Sequence, residues 1–265
     1  MKIKKILLWS GIALVVLVSV TLLVVGIFLD GIVKTAVNTV GPKIVQVPLT
    51  LDSIHIGVLS GSATVKGLVI GNPEGYKTAS AVSVGLAEVS VDVASALSDK
   101  IVIHSVRVEA PEITFEGGLS GNNLSKIQAN LNDTVKSLTG PGSTNSPAAP
   151  STAATGKPAK KLEVDDFLIT GAKVHVSLTG LGGKEMTLPL PDIHLTDLGK
   201  GSDGLTPADL ASQVFKAISD STLHEVTAAI SNLGKDVGNL GKDAGKAAVD
   251  TVNKITSGLG GLFKK

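Results

Sequence analysis

Twenty-four consecutive residues without a charge, ILLWSGIALVVLVSVTLLVVGIFL (Ile6 to Leu29), constrain this chain more than anything that follows them. As a helix the run would be about 36 Å long at ~1.5 Å per residue, enough to cross ~30 Å of hydrocarbon with some tilt. Lys2, Lys4 and Lys5 precede it and Asp30 follows. Lysines collect on the cytoplasmic side of a span, so the expected orientation leaves the N-terminus in the cytoplasm and everything past Asp30 on the far side. A cleaved signal peptide would have a shorter apolar region, roughly 7–15 residues, ending in a small-x-small site. The run meets neither condition, and an uncleaved single-pass anchor is expected.

Beyond the anchor the apolar residues alternate as in half-buried strands. VQVPLTLDSIHIGVLSGSATVKGLVIG (45–71) reads as two strands joined by a Gly/Ser turn, followed by an irregular NPEGYKTAS. VSVGLAEVSVDVAS (82–95) is a third strand whose apolar parity changes from Val82, Val84 and Leu86 to Val89, Val91 and Val93. A bulge near Ala87 and Glu88 would keep one face apolar. In KIVIHSVRVEAPEITFEGG (100–118) the parity changes again, from Val102, Val106 and Val108 to Ile113 and Phe115. Pro111 cannot donate to a ladder, so two strands or one bent strand fit equally well. A second strand block, KLEVDDFLITGAKVHVSL and MTLPLPDIHLTDL, is expected to rejoin the first sheet, because three short strands alone bury too little.

Two helical patterns accompany the strands. Asn122 or Asn123 is placed to cap a helix carrying Leu124, Ile127, Leu131, Val135 and Leu138. Thr206–Pro207 begins a helical tail in which NLGKDVG and NLGKDAG (232–245) repeat with a glycine stripe. Each of those glycines costs about 1 kcal/mol of helix propensity against alanine, so the tail needs a surface to lie on. TGPGSTNSPAAPSTAATGKPAKK (139–161) has the composition of a disordered linker. The domain reading is therefore 1–30 stub and anchor, 31–138 first β block with helix, 139–161 linker, 162–200 second β block, and 201–265 helical tail. The fold class is mainly β with helices (α+β): a transmembrane helix, a curved antiparallel sheet forming a trough, and C-terminal amphipathic helices.

Little in the sequence points to catalysis. Lys and Arg number 24 against 23 acidic residues, which gives no basic surface for nucleic acid. Cysteine is absent, so there is no disulfide framework and no thiolate metal site. His55, His104 and His175 stand in strand alternations without a second ligand at metal spacing, and HExxH, GxSxG and phosphate-loop patterns are missing. Asp165–Asp166 and Glu109/Glu112 read as solvated carboxylates. Asn123-Leu-Ser125 and Asn132-Asp-Thr134 match glycosylation sequons, which matter only in a eukaryotic secretory pathway. No enzyme, cofactor or metal site is expected.

IGNPEGY (70–76), SDKIVIHSVRVEAPEITFEGG (98–118) with NNLSKI behind it, and DFLITGAKVHVSL…LPLPDIHLTDLG (166–199) resemble the bacterial AsmA-like family. The resemblance covers about 45–135 and 161–199. It implies an inner-membrane anchor and a periplasmic curved sheet with an apolar floor. That trough is related to the grooves of bridge-like lipid-transfer proteins, and the family is associated with phospholipid movement and outer-membrane homeostasis. Seven or eight strands at ~4.8 Å spacing extend roughly 40 Å, a single short module and not a bridge across an envelope, and the glycine-striped tail falls outside the family pattern.

The expected function is passive contact with phospholipid on an apolar sheet face, with Val84, Val91, Val106, Val108, Ile113 and Phe115 as the lipid-contacting candidates and the inner membrane engaged through residues 6–29. The rival is a scaffolding protein with a closed β core, its apolar face covered by the helices at 122–138 and 207–230, and a tail that binds a membrane or protein partner.

Overall fold

The computed structural model describes residues 2–119, 121–139, 160–178, 185–201 and 203–232. The expected linker between 140 and 159 and the glycine-striped repeats from 233 onward lie outside the described residues. The chain divides into two compact units, 1–222 and 223–265. Of the second, the described residues 223–232 are helical.

Helix α1 (Lys2–Val45) runs well past the expected anchor, about 66 Å in all at ~1.5 Å per residue. Its early side chains, among them Trp9, Leu14, Leu17, Val20 and Phe28, are exposed. By length and composition, one helix among the described residues is apolar enough to cross a membrane, and the stretch Val24–Val45 meets that test. The second half of that stretch is tied to the sheet, however. The Asn38 amide accepts from the Leu51 N–H at 2.6 Å and donates to the Leu51 carbonyl at 3.2 Å, as a neighbouring strand would. Asp30 accepts the Ile56 N–H at 2.7 Å. Packing therefore assigns residues 30–45 to the β domain, and Gly26, against the Ile56 carbonyl, still touches it. The helix stops where Gln46 turns left-handed (φ 54), and the Gln46 amide donates to Thr134 Oγ1 at 3.1 Å.

The sheet holds β1 (Leu49–Gly57), β2 (Ser62–Ile70), β3 (Val82–Val91), β4 (Lys100–Glu109), β5 (Glu112–Gly118), β6 (Gly121–Asn122), β7 (Lys161–Thr170), β8 (Lys173–Leu178), β9 (Glu185–Pro189) and β10 (Ile193–Leu198). It reduces to six long strands. β4 and β5 run along β3 in a single register, Leu86 opposite Glu109 and Ser83 opposite Glu112, so the bent-strand alternative holds. β7 and β8 run beside them, Glu109 opposite Thr170 and Glu112 opposite Lys173. β9 and β10 repeat the pattern on the far side. The second strand block thus rejoins the first sheet, as expected. It does so in parallel, not antiparallel: β4 with β7 and β5 with β8. A parallel neighbour needs a long crossover, and helix α2 (Asn123–Thr139) lies between the paired strands in sequence.

All six strands bend at one rung. Counting along the registers places Asp52, Gly67, Gly85, Ala110, Gly171 and Pro191 side by side. Gly67, Ala110 and Gly171 have φ of 65, 44 and 64. In each strand the inward apolar positions on either side are three apart instead of two: Leu51/Ile54, Val65/Leu68, Val84/Ala87, Val108/Pro111, Ile169/Ala172 and Leu190/Ile193. Because every strand inserts the same extra residue, neighbours stay paired and the whole sheet folds along a crease. The ladder closes over it through Ala110 N–H to the Thr170 carbonyl at 2.8 Å and Lys173 N–H to the Pro111 carbonyl at 3.0 Å. The bulge expected near Ala87 and Glu88 lies instead at Gly85, as part of a sheet-wide feature: Ala87 and Glu88 pair regularly with Val65 and Thr64, and the register of β2 against β3 is the same on both sides of Gly85. A second irregular rung lies six residues on, at Gly61, Val91, His104, Asp165 and Asp197. There β3 shifts register against β4 between Ser90 and Val91, and Gly61 and Asp197 have φ of 65 and 56.

The crease gives opposite signs for two substitutions. A Cβ on Gly171 meets nothing closer than 3.9 Å, so Gly171→Ala costs only its left-handed backbone, about 1–2 kcal/mol. Ala110→Gly relieves the same strain against ~0.5–1 kcal/mol of chain entropy and is neutral or slightly stabilising. Urea unfolding of the two variants in detergent checks both signs.

Candidate functional site: an apolar cavity at the crease

Two helices lie over the concave face where the crease bends it. α2 is capped by Asn122, whose Oδ1 accepts the Ser125 N–H at 2.8 Å while the Ser125 hydroxyl accepts the Asn122 N–H at 3.2 Å. Asn123, the other expected cap, is fully buried and holds the helix to the sheet. Its oxygen accepts the Glu116 N–H at 2.9 Å, and its nitrogen donates to the Thr114 carbonyl at 2.7 Å and to Asn72 Oδ1 at 2.8 Å. Buried and bonded on both sides, it is not a glycosylation acceptor in this fold. Leu124, Ile127 and Leu131 of α2 face the sheet and are fully buried. Helix α3, taken as its part within the first unit (207–222), starts with a reciprocal cap: Asp209 N–H donates to Thr206 Oγ1 at 3.1 Å, and Asp209 Oδ2 accepts the Thr206 N–H at 3.2 Å. Ala211, Val214, Phe215 and Ile218 then recur on one face at helical spacing.

The helices do not fill the space beneath them. A cavity of about 250 Å³ remains. Its floor is sheet: Leu49, Leu68, Ile70, Val82 and Val84 on one side of the crease, Val108, Phe167 and Ile169 on the other, with Pro111 and Ile113 at the bend. Its roof is Val45, Leu131 and the α3 residues Ala211, Val214, Phe215 and Ile218. Every lining side chain is apolar. An engineered apolar cavity of ~150 Å³ stays dry and binds benzene, so this space favours hydrocarbon over water. Leu49, Leu68, Ile70, Phe167, Ala211 and Val214 keep part of their surface exposed, which marks the mouth.

Of the six sequence candidates, Val84, Val108 and Ile113 line the cavity. Phe115 lies two residues past Ile113, fully buried and paired with Val176. Val106 and Val91 share the concave face but lie outside the cavity. Val106 is paired with Val89 and Phe167, Val91 sits at the second rung, and both are half-buried. They continue the apolar floor from the mouth toward the β1–β2 turn. The sequence reading set a helix at 207–230 over the apolar face as one alternative but named no lining residue on α3 or on β7. The spacing 211, 214, 215, 218 was the available signal for α3.

Titratable side chains keep away from the cavity. His104 Nδ1 is 3.2 Å from Asp165, His194 Nε2 is 2.5 Å from Asp166, and His55 Nδ1 is 3.2 Å from Asp30, all on exposed surface. Asp165 and Asp166 are thus paired with histidines, not merely solvated. Among the described residues no three His, Asp or Glu side chains converge on a metal position. One carboxylate is structurally committed. Glu116 accepts the Lys77 N–H at 2.8 Å, the Thr78 N–H at 2.8 Å and the Thr78 hydroxyl at 2.6 Å, pinning the loop between β2 and β3 beside the α2 start.

No family model, no curated protein and no solved structure matches this chain.

Partial burial pushes the Glu116 carboxyl up, but the Thr78 hydroxyl, the Thr78 and Lys77 N–H groups and the Lys77 charge outweigh it and hold it below its ordinary 4.5. A carboxyl lowered in the folded state contributes stability that is complete above its ordinary value and is lost as pH falls through the lowered one. Acidification below pH 4.5 should therefore release the 72–80 loop, read by the fluorescence of Tyr76, the only tyrosine. Glu116→Gln should flatten that dependence.

Proposed function

We propose that this chain is a non-enzymatic, single-pass membrane protein whose β domain holds a phospholipid acyl chain in the cavity at the crease. The run Ile6–Leu29 anchors it; the lysines before that run support a β domain outside the cytoplasm, and the AsmA-like likeness supports the periplasm of a bacterial envelope. The observation that carries this reading is the cavity itself: about 250 Å³ lined by apolar side chains alone, on the same chain as a helix apolar enough to cross a bilayer.

Each methylene moved from water into such a lining gains about 0.8 kcal/mol. That sum is available without any polar contact, so the site would discriminate little between headgroups and would suit general movement or buffering of lipid. The crease suits the task because it opens space on the concave side while the ladder stays closed. The AsmA-like texture of 98–118 and 166–199 supports the same reading from a separate direction, since those stretches contain the crease residues Ala110 and Gly171. A role in envelope lipid transport or outer-membrane homeostasis follows from that likeness.

The test uses the full-length chain in membranes that contain a phospholipid with a photoreactive group near its acyl terminus. After illumination, lipid adducts should appear on peptides carrying Val84, Val108 or Ile113 as well as on α1. Val84→Trp, which fills the cavity, should lower the adducts on the β domain several-fold and leave those on α1 unchanged. Adducts confined to α1 in the unaltered protein would rule the reading out.

A further inference from the structure

The end of the sheet beside the apolar run of α1 carries three exposed aliphatic side chains that the cavity does not use. Leu59, at the β1–β2 turn, is 77% exposed. Leu97, in the 3₁₀ turn Ser95–Leu97, is 93% exposed, and Val93 just before it is 45% exposed. The two turns are neighbours: the Val91 N–H donates to the Gly61 carbonyl at 2.6 Å, and a Cβ on Gly61 would sit 3.0 Å from Val93 Cγ2. The 3₁₀ turn is rigidly held, since Asp92 Oδ1 accepts the Ala94 N–H at 2.8 Å and the Ser95 hydroxyl accepts the Val102 N–H at 2.9 Å.

The contacts of α1 fix where this end lies along the helix. Asn38 meets Leu51, Asp30 meets Ile56, and Gly26 already lies against the Ile56 carbonyl, so α1 runs antiparallel to β1 toward the β1–β2 turn. β1 ends at Gly57 and the chain then turns, the Gly61 N–H donating to the Gly57 carbonyl at 2.9 Å, so Leu59 stands at the strand's end, level with the part of α1 just before Gly26. The apolar run before Gly26, Ile6 to Val25, is about 30 Å long at ~1.5 Å per residue, matching the ~30 Å of a hydrocarbon core. The turn therefore falls at the height of a bilayer surface.

We infer that Leu59, Val93 and Leu97 form a lip that docks on the surface of the bilayer that α1 crosses. This rests on the anchor reading of α1. The lip sets the lower end of the apolar floor, Val91 and Val106 included, against the lipid, so that an acyl chain reaches the cavity along the concave face. Charge does not select the membrane: the Lys100 ammonium is paired with Glu163, and the Lys160 ammonium is occupied by the Ala96 carbonyl. The docking is apolar and works on a zwitterionic surface.

The chain has no cysteine, so single-cysteine labels are unique. Full-length Leu59→Cys, Leu97→Cys, Val20→Cys and Glu74→Cys variants, each carrying an environment-sensitive fluorophore, are reconstituted in phosphatidylcholine vesicles with a nitroxide quencher on the lipid. Glu74 is exposed in the loop at the opposite end of β2 and serves as the reference. Labels at 59 and 97 should be quenched several-fold more than the label at 74, at a shallower depth than the label at 20. If position 20 is quenched while 59 and 97 match 74, the lip is refuted and the anchor stands. If position 20 also matches 74, the anchor reading fails and the lip with it.

Discussion

A sheet that must keep one face apolar and still curve cannot do so with unbroken two-residue alternation. This fold meets the constraint by inserting one extra residue in every strand at the same rung. An isolated bulge would set one strand out of register with its neighbours. Six aligned ones preserve pairing from Asp52 to Pro191 and convert the plane into a trough. The cavity sits in the angle, and its floor residues Val84, Val108, Pro111 and Ile169 are the ones that flank the bend.

The second dependency is the edge at β1. An unpaired strand edge invites association with other chains. Here α1 covers it, and the Asn38 amide supplies one donor and one acceptor to Leu51 where a further strand would. The same contact couples the β domain to whatever holds the first half of the helix. Residues 30–45 serve as a rigid bracket, so the height of the sheet end along α1 is set by hydrogen bonds, not by a flexible tether.

Much of this was legible in the sequence, though piecemeal. The apolar run, the strand pairs and α2 follow from periodicity, the cap from the asparagines at 122 and 123, and the return of the second block to one sheet from the little that three short strands bury alone. The parity changes at 84–89 and 108–113 were visible too, but each looked like a local bulge. Their alignment depends on register between strands far apart in sequence, which periodicity does not encode. The parallel pairing of β4 with β7 was hidden for the same reason. The extension of α1 past Asp30 was obscured by its mixed composition, since Lys34, Asn38 and Lys43 interrupt the apolar signal while Asn38 and Asp30 serve β1. Three of six candidate residues fall in the cavity because they flank the crease. Phe115 was misplaced by one inward step, and Val91 and Val106 by lying nearer the β1–β2 turn.

The most direct test of the central claim is methyl NMR on the full-length protein in nanodiscs containing phosphatidylcholine spin-labelled near the acyl terminus. Occupation of the cavity broadens the methyl signals of Val84, Val108 and Ile113 beyond those of Val164 and Val174, which are buried but do not line it. Equal broadening across these five residues, with the effect concentrated on α1, would mean that the cavity stays empty of lipid and that the account is wrong.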